Sequence, residues 1–180
     1  MVLASVAVAA CSHVPVTSLP KLAAIDFKTT DPNALLAGIE LPQVLRPKPE
    51  GVSLELAVRL DDGEERAERY VLRERGGRLP DLPGASDGNS AYVYGLTPAD
   101  AQRLAAFRSD LLELQKTRHG SLSIMVHADA CRTGPVPDGP LRISTYLSTS
   151  ETTGFVPLAR NVDLRELGRA PASAELPECV

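Results

Sequence analysis

The chain has 180 residues, 19 basic and 23 acidic, for a formal net charge of −4. That length suffices for one domain with its own core, and the interspersed charges, with no basic stripe, argue against nucleic acid as a partner. Three Phe, four Tyr and no Trp are too few rings for a stacking platform for sugars or bases, while fifteen prolines and thirteen glycines imply many turns, hence strands rather than a helical bundle.

Residues 2–10 (VLASVAVAA) are small, apolar and uncharged. A bilayer span needs about 20 such residues, whereas about 7–15 make the h-region of a signal peptide. The run ends in Val8-Ala9-Ala10-Cys11, which resembles the lipobox of bacterial lipoproteins. The resemblance implies that residues 1–10 are removed and that Cys11 is acylated on its sulfur and new amino group. It also implies a membrane partner reached through that lipid. Ser12, in place of Asp, resembles the kind sorted to the outer membrane, facing the periplasm. No Lys or Arg precedes Cys11, so the basic n-region of such a leader is missing from the sequence given. Two other readings fit the run: ordinary secretory cleavage, and a retained N-terminal strand buried in a cytosolic protein. Residues 11–21, with two prolines and little periodicity, read as a tether, and residues 22–180 as a single domain.

Within that domain Leu22–Lys28 is expected to be a first strand. Asp31 and Pro32 signal a short helix over 32–37, stopped by Gly38. Three prolines make 41–51 an extended loop. Val52–Leu60 (VSLELAVRL) alternates cleanly and predicts a half-buried strand. Asp61-Asp62-Gly63 then turns it back into a partner over 68–73. A long loop, 76–89, leads to a short strand over 90–94. The spacing over 98–118 predicts the one long helix, N-capped by Thr97, with Pro98 first and an apolar stripe through Ala101, Leu104, Phe107, Leu111 and Leu114. Strands follow over 121–128, 141–148 and 153–158, the last an edge because of Pro157, and 163–167 suits one helical turn.

This order predicts an α+β fold: a mostly antiparallel, curled sheet of about six strands packed on one long helix. Six strands are about 25–29 Å wide, and a helix about 10 Å across cannot cover them. The sheet must therefore curl round the helix or split in two; otherwise the 31–46 segment covers the remainder, or an apolar strip is left for a partner.

The search for chemistry finds no GxxxxGK, no GxGxxG and no HExxH, and nothing in the sequence implies a cofactor or a metal. With Cys11 assigned to lipid, Cys131 and Cys179 remain, an even pair that in an oxidising envelope is expected to form one disulfide. The polar face of 121–128 carries Ser123 and His127, with Asp129 beyond. Ser123 and His127 are about 13 Å apart along a strand, too far for a hydrogen bond. If strands 121–128 and 141–148 pair, His127, Asp129, Arg142 and Tyr146 gather into a small binding surface. The resulting expectation is a non-catalytic, lipid-anchored envelope protein with a binding, scaffolding or assembly role and an envelope protein as partner. A periplasmic hydrolase using the His127 face and a cytosolic protein are the alternatives.

Overall fold

Strict alternation along Val52–Leu60 organises the fold. Val52, Leu54 and Leu56 are fully buried, and Val58 and Leu60 nearly so, because a strand turns every second side chain to one face. In the computed structural model, which describes residues 15–76, 82, 88–166 and 176–179, this run is the second half of a sixteen-residue strand, β2 (Leu45–Leu60). The other described strands are β1 (Leu36–Pro42), β3 (Glu65–Val71), β4 (Arg73–Glu74), β5 (Asn89–Gly95), β6 (Gly120–Arg132), β7 (Arg142–Ser148) and β8 (Val156–Asp163). The α-helices are a one-turn α1 (Leu19–Ala23) and a long α2 (Pro98–Gln115).

The fold is α+β, and the named strands pair antiparallel. They form two sheets rather than one curled sheet of six: a five-stranded sheet in the order β4-β5-β1-β7-β8 and a three-stranded sheet in the order β3-β2-β6. Consecutive β1 and β2 do not pair, because the turn at Gln43–Val44 carries the chain from one sheet to the other. Splitting solves the coverage problem. Ala37, Ile39 and Leu41 of β1 meet Val52, Leu54 and Leu56 of β2 in one cluster, joined by Ala101 and Leu104 of α2. At the far end of β2, Val58 and Leu60 pack with Leu111, Phe107, Leu114 and Phe27.

The long helix starts as its cap residues dictate. Thr97 Oγ1 accepts from the Asp100 N–H at 3.1 Å and donates to Asp100 Oδ2 at 2.8 Å, and Pro98 opens the first turn. The helix ends at Gln115, before residue 118, where Lys116 and Thr117 turn back on the carbonyls of Glu113 and Leu114. Arg103 ties it to β3, lying 5.0 Å over the ring of buried Tyr70 and 3.1 Å from Glu68.

Several local expectations change. Residues 22–28 are not a strand. They finish α1 and enter turns in which the Asp26 carboxylate accepts from the Lys28 N–H, while its carbonyl accepts from Thr29 and Thr30. Of the expected tether, 15–21 are described and form a 3-10 turn, Val16–Ser18, running into α1, with Ser18 buried. The helix over 32–37 shrinks to one 3-10 turn, Pro32–Ala34, capped by Asp31. Gly38 is a strand residue; a Cβ there would come within 2.8 Å of Leu82, so glycine permits close packing rather than a helix stop. Apart from the turn at Gln43–Val44, residues 41–51 belong to β1 and β2 instead of a loop. Pro42 ends β1 opposite Asn89, and Pro49 falls in a register shift between Pro47 and Val52, where Glu50 takes a left-handed φ of 58°. The strand over 153–158 lies later, at Val156–Asp163, and is an edge as Pro157 requires. Most of the 76–89 loop lies outside the described residues.

The cysteine pairing is as expected: Cys131 and Cys179 are disulfide-bonded, 48 residues apart. In the chain-entropy model a loop of that size is worth about 4 kcal/mol. The tail also pairs with β6: the Arg132 N–H donates to the Pro177 carbonyl at 2.8 Å, and the Arg132 carbonyl accepts from Cys179 at 3.0 Å.

Two predictions follow from this packing. Leu54→Ala opens a cavity at the centre of the core, and its unfolding free energy in urea is expected to fall by about 3 kcal/mol. The second concerns Arg118, which bridges Asp62 and Glu64 across the β2–β3 turn. The Glu64 N–H and then Arg118 hold the Asp62 carboxyl below its ordinary value near 3.8; Arg118 and then Arg66 hold Glu64 below 4.5. A depressed folded pKa adds stability above the ordinary value and loses it as pH falls through the depressed one. The Tm gap between wild type and Arg118→Ala should therefore be widest near neutrality and close in acid. A gap constant down to low pH would contradict the assignment.

Candidate functional site

The four residues expected to share a surface are divided between the two sheets. β6, which carries His127 and Asp129, pairs with β2; β7, which carries Arg142 and Tyr146, pairs with β1 and β8. The expected pairing of 121–128 with 141–148 does not occur, because 133–140 crosses between sheets rather than closing a hairpin. Thr133 is held by the Val44 carbonyl, and the Arg165 guanidinium donates to the carbonyls of Pro137 and Asp138.

His127 lies on the outer face of the three-stranded sheet, its Nε2 3.2 Å from Glu55 Oε2 but poorly aligned for a hydrogen bond. Asp129 is exposed one residue pair further along. The partner of His127 is thus a carboxylate on the neighbouring strand, which β2–β6 pairing supplies and local spacing did not reveal. The hydroxyl directly across the ladder is that of Ser53. It accepts from Arg69 Nε at 2.8 Å and is 1% exposed, so it is not presented to a substrate. A second serine bears on the hydrolase alternative. Gly84-Ala85-Ser86-Asp87-Gly88 matches the G-x-S-x-G pattern of hydrolases. That chemistry needs the serine on a turn leading from a strand into a helix, whereas this stretch leads into β5. Ser86 itself lies outside the described residues.

Tyr146 is fully buried on the far face of the five-stranded sheet and is not a surface residue. Its phenol donates to Glu40 Oε2 at 2.8 Å, and Asn89 Nδ2 donates to Glu40 Oε1 at 3.0 Å. Burial, and then the bond to Glu40, raise the phenol's pKa. Glu40 is 1% exposed, so these donors replace the water that a carboxylate loses on burial. Neither Glu40 nor Asn89 was expected at a site, because Gly38 read as a helix stop hid β1. The alternation of Ala37, Ile39 and Leu41 was the available signal. Arg142 is exposed and lines, with Pro42, Asn89, Pro140 and Asn161, a shallow cleft of about 400 Å³.

Two larger clefts remain. One of about 660 Å³ lies beside the disulfide, between the Pro47–Glu50 irregularity, Arg73, Glu74 and Tyr94. Its lining sets Arg46, Lys48 and Arg73 against Glu50 and Glu74, and Arg73 is already paired with Glu50 at 2.7 Å. The other, about 650 Å³, is an apolar groove between β6 and the five-stranded sheet. Leu122, Ile124 and Val126 form one wall, Thr145, Leu147 and Leu158 another, and Leu22, Ile25 and Phe27 line it as well, with His127 beside them. Among the described residues no cluster of His, Cys, Asp and Glu could hold a metal ion, and no helix is long and apolar enough to cross a membrane. Cys11 lies outside the described residues. No family model, curated protein or solved structure matches the chain.

The buried carboxylate yields a prediction. Tyr146→Phe keeps the ring but removes a donor to Glu40, and the fold should lose about 2 kcal/mol in thermal or urea unfolding. An unchanged stability would mean that Glu40 is satisfied without the phenol.

Proposed function

We propose that this is a lipid-anchored protein of the bacterial cell envelope whose domain binds or scaffolds a partner and performs no catalysis. The observation carrying the reading is the pairing of Cys131 with Cys179. A structural disulfide belongs to an oxidising compartment, and it leaves Cys11, at the end of Val8-Ala9-Ala10, as the cysteine over. Acylation there would supply several chains, and more than one is what stable anchoring needs. The short described run from Pro15 to α1 would set the domain close to the membrane. The apolar groove beside β6 suits binding better than chemistry, since the hydroxyl across from His127 is buried under Arg69.

The test is the intact mass of the protein from its native host, with and without reductant and alkylation. The expected species lacks residues 1–10, carries lipid on Cys11, and gains two alkyl groups only after reduction. A chain that retains Met1 and alkylates at three thiols without reductant would sink the proposal.

A further inference from the structure

Arg142 stands on a fixed platform and its charge is unanswered. Leu141, just before it, is 1% exposed in the core, and the Leu141 N–H donates to Asp163 Oδ1 at 3.1 Å. Asp163 is also the cross-strand neighbour of Arg142, the position from which an acid could pair with it. Its Oδ1 is instead taken by the N–H groups of Leu141 and Arg165. Among the described residues no carboxylate or carbonyl meets the Arg142 guanidinium.

The cleft of about 400 Å³ that Arg142 lines is shaped from both sides. Between Ile143↔Val162 and Thr145↔Ala159 the β7–β8 ladder sets Arg160 and Asn161 against Ser144 alone, a bulge of the kind that re-aims a side chain. Asn161 takes a left-handed φ of 51°, which asparagine tolerates, and its N–H donates to Ser144 Oγ at 3.2 Å. Asn89 is fixed from the opposite side. Its Nδ2 donates to the buried Glu40 carboxylate at 3.0 Å, and among the described residues nothing donates to its Oδ1. Pro42 and Pro140 complete the lining and carry no N–H.

We propose that this cleft binds an acidic peptide segment, with an Asp or Glu carboxylate seated on Arg142 and a neighbouring main-chain N–H donating to Asn89 Oδ1. The guanidinium is a planar fork that meets a carboxylate in two parallel hydrogen bonds. A phosphate-sized anion is held instead by donors from several sides, commonly successive backbone N–H groups. Here two of the five lining residues are prolines. The acceptor at Asn89 and the amide of Asn161 suit a ligand that brings peptide groups of its own. Glu40 does not confront the bound carboxylate, since it is 1% exposed and its oxygens face Tyr146 and Asn89. The site rests on the proposed binding role for its partner but not on lipid at Cys11, so intact mass and peptide binding can fail separately.

The experiment follows the isotope-labelled full chain by NMR, with Cys11→Ser so that no lipid is attached. The probe is N-acetyl-glutamate N-methylamide, and the titration is repeated with its glutamine analogue and with inorganic phosphate. Saturable shifts are expected at the side-chain amides of Asn89 and Asn161 and at Arg142 Nε–H, with the glutamine analogue and phosphate each weaker by about tenfold or more. Arg142→Gln should weaken the glutamate probe by about tenfold or more. Arg142→Lys, which keeps the charge without the fork, should recover only part of that loss. Asn161→Gly, which suits the left-handed φ and so keeps the bulge, should weaken binding several-fold. Unmoved backbone amides elsewhere verify that each variant folds. No saturable shift at these groups, equal binding of the glutamine analogue or of phosphate, or binding indifferent to Arg142→Gln overturns the proposal.

Discussion

The apolar face of β2 is the surface on which both the five-stranded sheet and α2 rest. Val52, Leu54 and Leu56 meet β1, and Val58 and Leu60 meet the second half of the helix. β2 is paired on both sides, by β3 and β6, so its register is held by two ladders at once. A slip of one residue would turn all five apolar side chains to solvent and Ser53, Glu55 and Arg59 to the core. The irregularity at Pro47–Val52 lets the same strand continue toward the corner with β1 without carrying that register error into the core.

Burial on this scale forces polar groups inside, and the structure answers several of them with a donor from a distant part of the chain. Glu40 receives Tyr146 and Asn89; Ser53 receives Arg69; the tail carbonyls receive Arg132. These bonds matter less as a sum of small energies than as conditions on the fold. A buried carboxylate without its donors costs several kcal/mol, so the far face of the five-stranded sheet is specified as firmly as the apolar core. The disulfide acts similarly at the C-terminus, where it joins Arg132 and the packing of Leu176 in holding Leu176–Cys179.

Much of the fold was legible because it rests on short-range physics. Thr97-Pro98 capped the helix, alternation drew β2, β5, β6 and β7, and the width of six strands against one helix required the sheet to curl or split. The elements that misread were those whose local signals compete with distant contacts. Pro32 and Gly38 suggest a helix and its stop, yet Gly38 sits in a strand because Leu82 and Phe155 press against it. Prolines 47 and 49 suggest a loop, yet β6 pairs with Pro47 and the strand carries Pro49 in a break of register. The site was less legible still, since Glu55, Glu40 and Asn89 reach their partners only through strand pairing. Composition, cysteine number and the VAAC run are properties of the chain itself, and they set the expected compartment. Which strands are neighbours is decided by long-range packing that no local pattern encodes.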